Sequence, residues 1–207
     1  MFEILTLNKI SKTGLDRLDS AKFTCSDSFE APDAVLVRSA SMHEMELSEK
    51  TVAIARAGAG VNNIPIPACS EKGVVVFNTP GANANAVKEL VLCSLFMASR
   101  KIGASLDWCK TLKGEGENVG KLVEKGKSSF AGPEILGKTL GVIGLGAIGA
   151  LVAEGAKALG MNVIGYDPFV TEKEGVEVVA DVAEIYKRSD YISLHSPLND
   201  STRGEFI

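Results

Sequence analysis

The stretch Leu140-Gly-Val-Ile-Gly-Leu-Gly-Ala-Ile-Gly149, followed by Gly165-Tyr-Asp167-Pro168, decides the fold. An apolar strand runs into Gly144-x-Gly146-x-x-Gly149. A helix is predicted over Ala147 to Leu159, Gly160 marks a turn, and a second apolar strand, Val163 to Tyr166, ends at an acid. Strand, glycine turn, helix, strand and carboxylate in this order hold the adenosine half of a dinucleotide. Gly144 permits the tight turn, Gly146 lets the backbone approach a pyrophosphate, and Gly149 lets the helix pack close to the strand. The helix start offers unpaired N–H groups and the positive end of its dipole to the phosphates. Asp167 stands about 20 residues beyond the glycines, where it can accept a hydrogen bond from the adenine-ribose 2′-hydroxyl. A 2′-phosphate would meet a like charge there, so NAD is expected over NADP. The bland alternatives are glycines that serve packing only and a plain turn acid before Pro168. The completeness of the pattern favours binding.

Around this stretch the chain is ordinary globular material. Of its 207 residues 45% are hydrophobic and 23% charged, enough for a sizeable core. A net charge of −4 gives no footprint for nucleic acid or an anionic membrane. No apolar run reaches the roughly 18 residues of a spanning helix. Met1-Phe-Glu-Ile-Leu5 carries an acid and reads as a strand, not as a signal peptide. Cys25, Cys69, Cys93 and Cys109 form no C-x-x-C pair, and His43 and His195 are the only histidines. No metal site is therefore expected, and four unpaired thiols suit a reducing cytoplasm.

Upstream, strands alternate with helices. Strands are predicted at Glu3 to Leu7, Phe23 to Cys25, Ala34 to Val37, Val52 to Ala55 and Val74 to Phe77. Helices are predicted at Lys12 to Leu18 with Ser11 as N-cap, at Ser41 to Lys50 and at Ile66 to Lys72. This alternation implies an α/β domain with a parallel sheet covered on both faces. A long helix follows from Asn85 to Arg100, apolar at Val87, Leu90, Val91, Leu95 and Met97. From Lys113 to Phe130 four glycines lie among alternating Lys and Glu, which reads as a polar linker or exposed arm. Past the glycine-rich strand, a short helix at Val182 to Lys187 and a strand at Tyr191 to His195 complete one βαβαβ mononucleotide half. A whole dinucleotide fold needs a second half, so the chain ending at Ile207 reads as truncated.

Several segments together resemble the D-isomer-specific 2-hydroxyacid dehydrogenases. They are Val37-Arg-Ser39, Arg56-Ala-Gly-Ala-Gly-Val-Asn-Asn-Ile64, Gly73-Val-Val-Val-Phe-Asn-Thr-Pro80 with Glu89 after it, the run from Gly137 to Gly149, Gly160 to Pro168, and Leu194-His-Ser-Pro-Leu198. The resemblance implies a flavodoxin-like substrate-binding domain over 1–100, a hinge helix and dimerisation arm over 101–136, and the first half of a Rossmann NAD-binding domain over 137–207. It implies hydride transfer between NAD and C2 of a small 2-hydroxy or 2-keto acid, in a homodimer or higher homo-oligomer. By family position Arg56, Gly58, Ala59, Gly60 and Val61 would hold the substrate carboxylate and Asn78 would touch the substrate. Thr79 would lie by the nicotinamide side. Gly144, Gly146, Ala147, Ile148 and Gly149 would meet the pyrophosphate, Asp167 the ribose, and Ser196 and Pro197 the adenine-side sugar and base.

The departures are informative. Ala147 stands where the family usually has Arg, which leaves the pyrophosphate to backbone N–H groups. Asn62 stands for the usual Asp, and Ser196 for a common Thr, keeping the hydroxyl. The segment Lys113 to Phe130, in a region that helps form the family's dimer, is longer than in many relatives. The family's catalytic Arg, Glu and His would lie beyond Ile207, so no catalytic residue is assigned and the 207 residues alone are expected to be inactive. His195 and Arg203 are read as structural or adenosine-side residues, and His43 as an exposed residue of a polar helix. Arg38 and Arg56 are the cations available to a phosphorylated substrate, with a strand-end salt bridge as the alternative. The leading activity is oxidation of D-3-phosphoglycerate to 3-phosphohydroxypyruvate on the route to serine. Reduction of hydroxypyruvate, glyoxylate or another 2-keto acid comes second, and a non-catalytic, corepressor-like NAD sensor third.

Overall fold

The computed structural model describes residues 1–197, 202 and 204. Leu198 and Arg203, both singled out above, lie outside the described residues. The chain divides into two compact units, Met1–Asn83 and Ala84–Ile207.

The first unit is a five-stranded parallel sheet of β1 (Phe2–Leu7), β2 (Phe23–Ser26), β3 (Ala34–Val37), β4 (Ala53–Arg56) and β5 (Val75–Phe77). Their order is β2-β1-β3-β4-β5, the flavodoxin-like doubly wound order. In register, Leu5 pairs with Val35 and Val35 with Ile54, so these side chains share one face. They pack with Val37, Met42, Leu47, Ile64, Cys69 and Val74 into one core. The other face carries Ile4 buried, Ala34, Leu36, Ala53 and Ala55 half-buried, and Val75 and Phe77 exposed. The expectation of two covered faces is thus met fully on one and in part on the other. Helix α1 shrinks to a single turn, Lys12–Leu15, that buries no residue, and Ser11 makes no side-chain cap.

The helix expected at Ser41 to Lys50 is not formed; that segment is turns and extended chain. Its apolar residues Met42, Met45 and Leu47 break the helical period after one step. Long-range bonds replace a helix: Met42 N donates to Asn63 O (2.8 Å) and Asn63 Nδ2 to Ala40 O (2.8 Å). Helix α2 (Ile66–Glu71) then leads into β5.

The second unit opens with α3 (Ala84–Arg100), which sequence reading assigned to the first domain. Its contacts explain the change. Leu95 is buried in the second unit's core with Val91 and Leu92 against it, and Ser99 Oγ lies 2.7 Å from Tyr191 Oη. The expected apolar positions Leu90 and Met97 are instead 68% and 51% exposed. Helix α4 (Ile102–Thr111) and α5 (Val119–Gly126) follow. The Lys113 to Phe130 stretch is therefore largely helical. Val119, Leu122, Val123 and Gly126 recur at helical spacing, half-buried, and Trp108 stacks on Phe130 at 5.1 Å. Frequent glycines and charges hid that stripe.

The nucleotide-type sheet comprises β6 (Thr139–Ile143), β7 (Asn162–Tyr166), β8 (Glu177–Val178) and β9 (Tyr191–Leu194), in the order β8-β7-β6-β9. Helix α6 (Ala147–Ala158) and α3 cover one face through Leu140, Val142, Val152 and Ala156. Helix α7 (Val182–Arg188) covers the other through Ile143, Ile164 and Ile185. The two-residue β8 was too short to read from periodicity. It takes the place beyond β7, and β9 lands on the opposite side of β6. The strand order therefore reverses beside the glycine loop, at the point where open α/β sheets bind ligands.

Candidate functional site

At the carboxyl end of β6 the chain turns through Gly144 at φ +90°, with Gly144 N donating to Tyr166 O at 2.8 Å. A Cβ here would stand 2.8 Å from the carbonyl carbon of His195 and the amide nitrogen of Ser196. The first glycine thus lets the end of β9 close against the loop. A Cβ at Gly149 would collide with the Gly144 carbonyl oxygen, whereas one at Gly146 would meet nothing within 4 Å. Two glycines are required by packing and the third faces open space. That space is where a backbone bare of side chains can receive a phosphate. Gly146 caps α6 with extended backbone and no side-chain bond, so the first N–H groups of the helix are served by no cap.

Asp167 ends β7 and reaches back over the loop. Its Oδ2 accepts from Leu145 N at 2.8 Å, and its Oδ1 from Phe169 N at 2.8 Å and Val170 N at 3.2 Å. The turn-acid reading is met, since it caps its own turn, and the carboxylate in addition holds the glycine loop. Sequence reasoning missed Leu145. Its side chain is 4% exposed and sits over Gly165, where a Cβ would come within 2.9 Å of it. The only signal was an apolar residue between two loop glycines.

At the end of β9, His195 N donates to Ile143 O at 2.7 Å, and its Nε2 lies 2.8 Å from Ser193 Oγ. Burial pushes the imidazole below its usual value, toward the neutral form. Ser196 and Pro197 follow directly, Ser196 half-buried and Pro197 exposed.

The first unit builds its strand ends from side chains. Arg56, at the end of β4, donates from Nε to Arg38 O at 3.1 Å. Its guanidinium folds over the following loop; a Cβ at Gly58 would stand 3.0 Å from Nη1 and one at Gly60 3.4 Å. Among the described residues neither Arg38 nor Arg56 enters a salt bridge. Asn78 Nδ2 donates to Ala59 O at 2.6 Å, and Thr79 N to Gly58 O at 3.0 Å, so Asn78 and Thr79 brace the loop. Ala59, Gly60 and Val61 donate no backbone hydrogen bond among the described residues. Their amides lie beside the Arg56 guanidinium, an arrangement with the chemistry to hold an anion. The expected salt-bridge alternative gives way to an arginine anchored on a carbonyl. His43 is exposed as expected, though on a turn, with Nε2 at 2.9 Å from Asn62 O. Asn8 was not foreseen. It sits at φ +68° after β1, and its Oδ1 accepts from Ser39 N (2.8 Å) and Ala40 N (2.6 Å), fixing the loop after Arg38. A lone Asn after an apolar strand was the available cue.

Arg56, Gly58 to Val61, Asn78 and Thr79 thus belong to one unit, and the glycine cluster, Asp167, Ser196 and Pro197 to the other.

Residues 92–206 match the family described as D-isomer specific 2-hydroxyacid dehydrogenase, NAD binding domain. The chain is 43% identical over 178 residues to D-3-phosphoglycerate dehydrogenase of Methanocaldococcus jannaschii, covering 83% of this chain and 32% of that protein. It is 40% identical over 174 residues to hydroxypyruvate reductase of Thermotoga maritima, covering 83% and 53%. Among solved structures, the NAD+-bound 3-phosphoglycerate dehydrogenase of Entamoeba histolytica superposes with a TM-score of 0.74 at 29% identity, covering 97% of this chain and 64% of that one. The chain therefore spans from 32% to 64% of the length of these relatives.

Proposed function

The chain belongs to the D-isomer-specific 2-hydroxyacid dehydrogenase family, and from that premise we propose that its reaction is the NAD-dependent oxidation of D-3-phosphoglycerate to 3-phosphohydroxypyruvate. The observation that carries the substrate is the strand-end arrangement of the first unit. Arg38 follows β3 and Arg56 ends the neighbouring β4, and neither is neutralised by a carboxylate among the described residues. Beside them lie three undonated loop amides. A substrate with a carboxylate and a phosphate needs two anion contacts, and this end of the sheet supplies N–H groups for one and guanidinium groups for the other.

NAD, when bound, supplies the acceptor for the hydride leaving C2. The chain's own residues hold and orient. Gly144, Gly146, Ala147, Ile148 and Gly149 present the α6 N-terminus to the pyrophosphate, with Ala147 adding no side-chain contact. Asp167 takes the ribose 2′-hydroxyl, and Ser196 and Pro197 flank the adenosine. Thr79 stands by the nicotinamide side, the loop from Arg56 to Val61 holds the substrate carboxylate through the amides of Ala59, Gly60 and Val61, and Asn78 touches the substrate. The acid/base group is sought in the remaining length that the relatives have, and the 207 residues alone are expected to bind without turnover.

The second reading is a hydroxypyruvate reductase, favoured by the 40% identity to the Thermotoga protein. The test is NADH oxidation by the full-length protein with 3-phosphohydroxypyruvate against hydroxypyruvate. A kcat/KM at least tenfold higher for the phosphorylated acid supports the proposal. Equal values give the reaction to hydroxypyruvate. Binding of NADH with turnover of neither overturns both readings and points to another 2-keto acid or to a non-catalytic cofactor sensor.

A further inference from the structure

We propose that Asp167 is a positioning residue for the pyrophosphate loop as well as the ribose acceptor, so that one carboxylate couples the two ends of the adenosine site. This inference rests on the NAD reading of the site and extends it.

An ionised carboxylate offers about four acceptor positions. Oδ1 has both of its positions taken by Phe169 N and Val170 N. Oδ2 takes Leu145 N at 2.8 Å and keeps one position open. A ribose hydroxyl donating to that position would share its acceptor oxygen with the glycine loop.

Leu145 lies between Gly144 and Gly146, so its N–H fixes the peptide that aims the next amides at the phosphates. The loop is pinned twice at this residue: the side chain is sunk over Gly165, and the backbone is held by a charged acceptor. The glycines on either side give it no stiffness of their own. Without Asp167 the loop would keep its side-chain anchor but lose the bond that orients the peptide, and phosphate binding would then carry the cost of ordering it. Asp167 therefore contributes to pyrophosphate affinity without touching the pyrophosphate. Exchanging it to admit a 2′-phosphate would loosen the loop that every dinucleotide needs.

The test is a cycle of two proteins and two ligands. Wild type and Asp167→Ala are titrated calorimetrically with ADP-ribose and with the same molecule lacking the adenosine 2′-hydroxyl. If the carboxylate served the hydroxyl alone, the deoxy ligand would bind both proteins equally, and that result overturns the proposal. The expected result is that Asp167→Ala weakens the deoxy ligand about tenfold as well, the size of one lost charge-assisted bond. Asp167→Asn, whose amide oxygen can still accept from Leu145 N, should recover much of that loss. A ligand-free arm separates this inference from the NAD reading. Amide exchange at Leu145 should accelerate at least tenfold in Asp167→Ala while the amides of β6 stay protected. If wild type binds neither ligand the NAD reading fails, and the exchange arm still decides the latch, unchanged exchange refuting it.

Discussion

The two sheets end in candidate sites of opposite construction. The second unit makes its site from backbone: two glycines that packing demands, a third left open, a helix start, and one carboxylate tied to the loop. The first unit makes its site from side chains: Arg56 hung on a carbonyl, Asn8 and Asn78 bracing loops, and Thr79 closing them. Their packing differs in the same sense. The nucleotide-type sheet is covered on both faces by α3, α6 and α7, whereas the first sheet has one dense face and another, lighter one, where Ile4 is buried but alanines are half-buried and Val75 and Phe77 exposed. A backbone site needs a rigid support, because amide directions are only as fixed as the strand and helix that carry them. A side-chain site tolerates a lighter frame, since each group is positioned by its own bond.

The contrast is broken most forcefully at Gly149. Gly149→Ala should push α6 off β6, because the new methyl meets the Gly144 carbonyl. Urea unfolding is expected to register a loss of about 3 kcal/mol, typical of an overpacked site that cannot relax, together with loss of ADP-ribose binding. Gly146→Ala sharpens the point. Its Cβ enters open space, so stability should fall by less than about 1 kcal/mol, while ADP-ribose affinity drops about tenfold as the methyl occupies the approach to the phosphate. A stability loss at position 146 equal to that at 149 would show the two glycines to be equivalent, against the geometry.

Arg56→Gln tests the other kind of site. Removal of the guanidinium should raise KM for 3-phosphohydroxypyruvate about tenfold in the full-length protein, from one lost charged contact. NADH affinity should stay unchanged. A parallel fall in NADH affinity would contradict the assignment of Arg56 to substrate.

The smallest effect is the pH response of β9. Burial lowers the His195 pKa in the fold, so between that lowered value and about 6.5 the unfolded chain holds more protons than the native one. Stability should therefore be full above about pH 6.5 and decline as pH falls through this window. Thermal unfolding from pH 7.5 to 5.5 should show a shallower decline in His195→Asn than in wild type.

Much of the second unit was legible because its determinants are local. Gly144, Gly146 and Gly149 are spaced by the geometry of one turn and one helix start, and Asp167 follows at the length of that helix and strand. Less of the first unit was legible. Arg38 and Arg56 were visible as cations, but their environment is made by residues far apart in sequence, Asn8 with Ser39 and Asn78 with Ala59. The segment Ser41 to Lys50 misled for the same reason: its polar content suits an exposed helix, yet Met42 is held by Asn63 across the loop. In α3 the apolar residues were seen, but which of them face the core was decided by α6 and Tyr191.

The sequence by itself determined the parallel α/β architecture, the glycine loop with its acid, and the family, because each is written in short-range patterns of spacing and polarity. Tertiary structure alone decided that β9 crosses to the far side of β6, that α3 joins the second unit, and that Asp167 grips Leu145. Those outcomes depend on which surfaces meet once the chain has folded: the pattern brings an acid to the loop but does not choose Leu145 N as its donor, and nothing local pairs Ser99 with Tyr191, 92 residues on.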